Sequence, residues 1–123
     1  MKAFILTVGL LVTCNVYADV ATPEKGGTVQ DLYNACKSNL GVAIVICEQY
    51  IAGVMDVMSL VGGADKGKVG SAFGMCVGDA YVSYPAARQV FINWAEKHPK
   101  LWDKDRDFGV MVAMRETWPC DKP

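Results

Sequence analysis

The chain has 123 residues, 12 basic and 13 acidic, for a net charge of −1, so it offers no cationic excess with which to hold nucleic acid or an anionic membrane surface. Hydrophobic residues make up 52% of it, enough for one core, and the length allows one domain of modest surplus stability. A single histidine and five cysteines leave little from which to build a catalytic set and direct attention to the cysteines.

The first 18 residues read as a cleaved signal peptide. Met1-Lys2 is followed by an uncharged run to Val16, the small or modest Ala18 and Val16 at the first and third places before the cut suit a signal peptidase, and Asp19 is the first acid. The run is shorter than the roughly 20 apolar residues of a membrane span. Leu11-Val12-Thr13-Cys14 has threonine where a lipoprotein box carries a smaller residue, so Cys14 is expected to leave with the leader. The predicted address is the periplasm. Residues 19–27, with Pro23 and the Gly26-Gly27 pair, read as a flexible N-terminal arm before a domain over 28–120. Cys36, Cys47, Cys76 and Cys120 then form an even set in an oxidising compartment, which implies two disulfides. No close C-x-x-C pair supports zinc instead.

Thr28 is placed to cap a first helix, with Asp31 at its third position and Val29, Leu32, Tyr33 and Cys36 at i, i+3, i+4 and i+7. Lys37-Ser38-Asn39-Leu40-Gly41 stops it. The apolar run 42–61 follows and predicts a central helix buried on most sides. Its Glu48, Ala52, Asp56 and Ser59, at i, i+4, i+8 and i+11, collect into one narrow stripe. Glu48, Gln49 and Asp56 would be expensive inside a lipid bilayer. Gly53 costs about 1 kcal/mol relative to alanine at a mid-helix position, and with Ala52 it leaves room for another helix or a partner chain to approach the backbone. The short link between the two helices makes a hairpin, which favours Cys36–Cys47 with Cys76–Cys120. The alternative, Cys36–Cys120 with Cys47–Cys76, has similar chain-entropy value.

Residues 62–70 are too glycine-rich to continue the helix. They do not make a phosphate-binding loop, because Gly67-Lys68 is followed by Val69 and no strand precedes them. Residues 71–84, containing Phe73, Cys76, Tyr81 and Tyr84, read as a short helix or an ordered connection. Pro85 opens the next helix, with Ala87, Val90, Phe91, Trp94, Ala95 and His98 inward and Arg88, Gln89, Asn93, Glu96 and Lys97 outward. His98-Pro99 closes it. A charged loop around Trp102 leads to a last helix, capped by Asp105 or Asp107, with Phe108, Met111, Val112 and Met114 inward and Trp118-Pro119-Cys120 at its end. The prediction is an all-α bundle of about four helices, stapled by two disulfides.

Catalysis has little support. His98 reads as a helix-terminal packing residue, an even cysteine count leaves no thiol for a Cys-His pair, and Glu48 and Asp56 stand about 12 Å apart along a helix, too far to act on one bond. The expectation is a binding protein without catalytic residues, cofactor or metal. Trp102, flanked by Asp103, Lys104 and Arg106, either anchors an interface with a charged rim or folds back onto the bundle. Lys66 and Lys68 in the glycine-rich loop are a second candidate contact surface.

These residues together resemble a known family. A cysteine ends the first helix, Cys47 to Asp56 reads C-x-x-Y-I-x-G-V-x-D, Cys76 follows, and the chain closes with His98-Pro99 and Trp118-Pro119-Cys120. This order is similar to the Rap/Tai immunity proteins of type VI secretion amidase effectors, over about residues 28–120. Gly78 stands where members commonly have proline, which leaves the path of 76–84 open. The resemblance implies a periplasmic, mostly helical homodimer that binds a secreted peptidoglycan amidase and blocks its cysteine-histidine active site. The competing class is a small, disulfide-stapled periplasmic chaperone of the acid-stress type, although the chain lacks the long charged tails such a protein would carry. Thiol titration of residues 19–123 in denaturant is expected to find no free thiol, and any reactive thiol would overturn the two-disulfide assignment.

Overall fold

The computed structural model describes residues 27–61, 73–77 and 81–120. Its first helix, α1 (Val29–Lys37), starts on a reciprocal cap. The Asp31 amide donates to Thr28 Oγ1 at 3.2 Å, and the Thr28 amide donates to the Asp31 carboxylate at 2.8 Å. That backbone hydrogen bond, followed by the one from the Thr28 hydroxyl, holds the Asp31 carboxyl below its ordinary range. After a three-residue link comes α2 (Gly41–Val61), the longest element. Ser83 caps α3 (Tyr84–Lys97) by accepting from the Ala86 amide, with Pro85 in the first turn as its missing N–H allows. A 3₁₀ turn (Pro99–Leu101) follows, and α4 (Arg106–Thr117) completes the bundle.

Each of the four helices packs against the other three. Val29 and Leu32 of α1, Ile51 and Met58 of α2, Phe91 and Trp94 of α3 and Val110 and Met114 of α4 meet in one core, together with Met75. Cys36–Cys47 joins α1 to α2, and Cys76–Cys120 ties the segment 73–77 to the chain leaving α4. Both favoured pairings are present. For closed loops of 11 and 44 residues, chain entropy assigns them about 3 and 4 kcal/mol. Around the second bridge the Cys76 amide donates to the Trp118 carbonyl at 2.8 Å and the Cys120 amide to the Gly74 carbonyl at 3.2 Å. The described part of the 71–84 segment is thus an ordered connection held by the C-terminal end. Gly74, at φ +74°, supplies the left-handed turn it requires.

Three expectations are corrected. α2 is not buried on most sides: Cys47, Ile51 and Met58 face the core, while Val42, Val45, Ile46, Val57 and Leu60 are exposed. The reason is geometric, since helices of 9, 14 and 12 residues cover only one side of a helix of 21. On α4, Phe108 is exposed and the inward face is Gly109, Val110, Ala113 and Met114. Arg88, expected to face outward, is half-buried and pairs with Glu48 of α2, Nε to Oε1, at 3.6 Å.

Gly109 explains the turn of α4. A Cβ placed there would lie 2.6 Å from Val29 Cγ2 and 3.2 Å from Trp94 Cζ3, so only glycine lets the α4 backbone sit against α1 and α3. Gly109→Ala is therefore expected to lower unfolding stability by about 1–3 kcal/mol, the usual cost of overpacking a core, despite alanine's better helix propensity. An unchanged or raised urea midpoint would show that Val29 can step aside.

Candidate partner-binding site

The candidate site is the segment 98–105, which joins α3 to α4 and is built around the start of α1. A helix begins with backbone amides that have no partner inside the helix. Here the Val29 amide donates to the Lys104 carbonyl at 2.8 Å and the Gln30 amide to the Trp102 carbonyl at 3.1 Å. The Arg106 amide in turn donates to the Gly27 carbonyl at 3.0 Å. The loop caps α1, and α1 fixes the loop. At its near end His98 Nδ1 lies 2.8 Å from the Trp94 carbonyl oxygen, which can only accept, so Nδ1 carries a proton.

Trp102 takes the second of its two expected roles and folds back. Its indole N–H donates to the Ala95 carbonyl at 2.8 Å and its ring lies 5.1 Å from that of Tyr33, centroid to centroid. The Tyr33 hydroxyl donates to Glu96 at 3.0 Å, and Lys37 Nζ reaches the same carboxylate oxygen at 3.1 Å. The hydrogen bond from Lys37, then that from Tyr33, holds the Glu96 carboxyl below its ordinary range. Glu96 likewise raises the Lys37 ammonium and the Tyr33 phenol above theirs. This chain of contacts clamps the loop to α1 and α3 from beneath.

With Trp102 folded in, Asp103 and Lys104 form the outward tip, their side chains 73% and 53% exposed and 3.5 Å apart. Arg106 turns the other way: its guanidinium lies 4.2 Å from the centroid of the Tyr50 ring, and its charge helps to depress Asp31. Of the four residues expected in this surface, two project from it and two brace it. Lys66 and Lys68 lie outside the described residues.

Sequence reasoning missed a cleft of about 440 Å³ between α2 and α4, bordered by Tyr50, Gly53, Val54, Val57 and Met111. Gly53 is one of the α2 residues on its rim. All four cysteines from Cys36 to Cys120 are in disulfides, so none of them is a thiol nucleophile.

The family model of Rap1a immunity proteins matches residues 28–120, from the Thr28 cap through both disulfides. The chain belongs to the Rap1a immunity protein family. No curated protein and no solved structure matches it. A Rap1a immunity protein acts against a secreted effector by binding it, and the family is generally non-enzymatic. That makes a rigid loop with an exposed tip more informative about this Rap1a protein than any set of reactive groups.

The Glu96 clamp has a pH signature. A carboxyl depressed in the folded state adds stability above its unfolded pKa, about 4.3, and loses that contribution as pH falls through the folded value. Glu96→Gln is expected to lower the urea midpoint slightly at neutral pH and to flatten its decline as pH falls below about 5. An acid limb identical to that of the unaltered chain would exclude Glu96 from the clamp.

Proposed function

We propose that this Rap1a-family protein is exported to the periplasm and there, as a pair of identical chains, neutralises a peptidoglycan amidase delivered by type VI secretion. It does so by seating a rigid loop in the enzyme's active-site cleft. The observation that carries this reading is the fixing of segment 98–105 through the capping of α1 by the Lys104 and Trp102 carbonyls. An inhibitor of this kind supplies no chemistry. It needs a surface already in its bound shape, so that little conformational freedom is lost on association. The disulfides and the Trp102–Tyr33–Glu96–Lys37 contacts provide such a frame, and the Asp103 and Lys104 side chains extend beyond it. The export reading rests on residues 1–18, and the amidase reading on the quoted motifs.

The test takes purified residues 19–123 and an amidase recovered with them by pull-down from a periplasmic extract of the source. Stoichiometric loss of that enzyme's activity on peptidoglycan is expected. Because the loop caps α1 through its backbone, Asp103→Lys combined with Lys104→Glu is expected to leave circular dichroism and the urea midpoint unchanged. Effector affinity should fall tenfold or more, about 1.4 kcal/mol. Unaltered affinity would remove the tip from the interface, and undiminished amidase activity at stoichiometric inhibitor would overturn the amidase assignment.

A further inference from the structure

The loop has a flank whose charge its tip does not explain. Residues 97–104 carry Lys97, Lys100 and Lys104 against Asp103 alone, in a chain whose net charge is −1. Lys104 lies 3.5 Å from Asp103, and elsewhere Lys37 pairs with Glu96 and Arg88 with Glu48. Lys97 and Lys100 are exposed and make no ion pair among the described residues. Both border one hollow of about 440 Å³ at the α3 end of segment 98–105, completed by His98, Pro99 and Leu101.

A helix C-terminus attracts cations, but the last carbonyls of α3 find donors without these lysines. The Ala95 carbonyl accepts from the His98 amide at 3.1 Å and from the Trp102 indole at 2.8 Å, and the Trp94 carbonyl accepts from His98 Nδ1. The floor of the hollow is fixed by the same contacts. The His98 ring is held by its Nδ1 and stacked on Trp94 at 4.8 Å between centroids, and the Pro99 ring locks its own φ. The recess therefore has its shape before anything enters it, which spares the ordering cost of association. Asp105 and Asp107, the next acids along the chain, belong to the start of α4, where the opposite pole of a helix favours them.

We infer that this recess receives a carboxylate side chain of the effector, its oxygens between the Lys97 and Lys100 ammonium groups and its hydrocarbon stem over Pro99 and Leu101. This rests on the loop-in-cleft reading above and adds to it the chemistry of the surface the loop meets, an aspartate or glutamate on the lip of the effector's cleft. A carboxylate side chain suits the recess better than a bare anion, because Pro99 and Leu101 offer apolar surface that only a stem can cover. Charges at the edge of an interface act chiefly on encounter and orientation: they steer a partner of opposite sign and repel one of like sign. The Asp103–Lys104 pair sums to zero and cannot steer. The lysine flank can.

The experiment uses disulfide-intact residues 19–123 with the amidase recovered by pull-down, and measures their association rate by stopped flow at about 20 and 300 mM salt, where charge is weakly and strongly screened. The rate is expected to fall about tenfold or more over that range. Lys97→Glu combined with Lys100→Glu should lower it by about the same factor at the lower salt, and Lys97→Gln with Lys100→Gln by less, both with circular dichroism unchanged. Lys97→Arg with Lys100→Arg should preserve it. In the complex, a water-soluble carbodiimide activates a carboxyl group and leaves as its urea when a touching amine forms the amide. It should join Lys97 or Lys100 to an aspartate or glutamate of the amidase, located by peptide mass spectrometry. A glutamate pair that associates as fast as the unaltered chain, or faster, overturns the inference, while inhibition by the unaltered chain leaves the loop reading standing. Equal losses in the arginine and glutamine pairs assign the flank to packing and overturn it. Cross-links confined to other lysines place the carboxylate elsewhere and overturn it too. An amidase that the unaltered chain does not inhibit overturns the loop reading, and the inference with it.

Discussion

The exchange between the start of α1 and the loop before α4 holds this small fold together. Two α1 amides that would otherwise lack partners are satisfied by the Lys104 and Trp102 carbonyls, and the Arg106 amide is satisfied by the Gly27 carbonyl. The starts of the first and last helices are thereby held together, and the loop between α3 and α4 is fixed with Trp102 folded in and the Asp103 and Lys104 side chains left outside. Everything that clamps the loop from below depends on that position. The Trp102 indole meets the Ala95 carbonyl and the Tyr33 ring while the carbonyl of the same residue accepts from the Gln30 amide.

The second constraint is a mismatch of lengths. α2 runs for 21 residues, about 31 Å, and its three neighbours are too short to surround it. Cys36–Cys47 fixes one end of it against α1, and the Glu48–Arg88 pair holds its flank to α3. These tethers set which face of α2 looks inward, and the remainder is left outside. Cys76–Cys120 does for α4 what the first bridge does for α2. It joins the chain leaving α4 to segment 73–77 and keeps Met75 in the core.

Local signals were legible in the sequence wherever one residue type settles one backbone need. Thr28 with Asp31, Pro85 in a first turn and the hairpin that brings Cys36 to Cys47 all form as their chemistry requires. Faces were harder to read. α2 is apolar almost all round, so periodicity could not say which apolar residues find cover. On α4 two apolar sets compete, and the one containing Phe108 carries more bulk. Close approach at Gly109 decides for the other, because its missing side chain admits Val29, Phe91 and Trp94. The role of Trp102 was open for a similar reason. An aromatic among charges says nothing of whether a carbonyl such as that of Ala95 lies within reach of its N–H. Arg88 faced outward by spacing alone, but Glu48 on the neighbouring helix draws it in.

The division between backbone and side chain at the loop bears on how such a protein keeps its fold while its partner changes. The structural work of segment 98–105 is done by the carbonyls of Trp102 and Lys104, the indole N–H of Trp102 and the imidazole of His98. The Asp103 and Lys104 side chains meet chiefly each other, and an exposed pair of that kind adds little to stability. Substitutions at the tip are thus nearly neutral for folding and open to selection by whatever effector the loop must fit. Trp102 and Arg106, which brace the same surface, are not. In the proposed reading, specificity and stability occupy neighbouring residues yet different atoms.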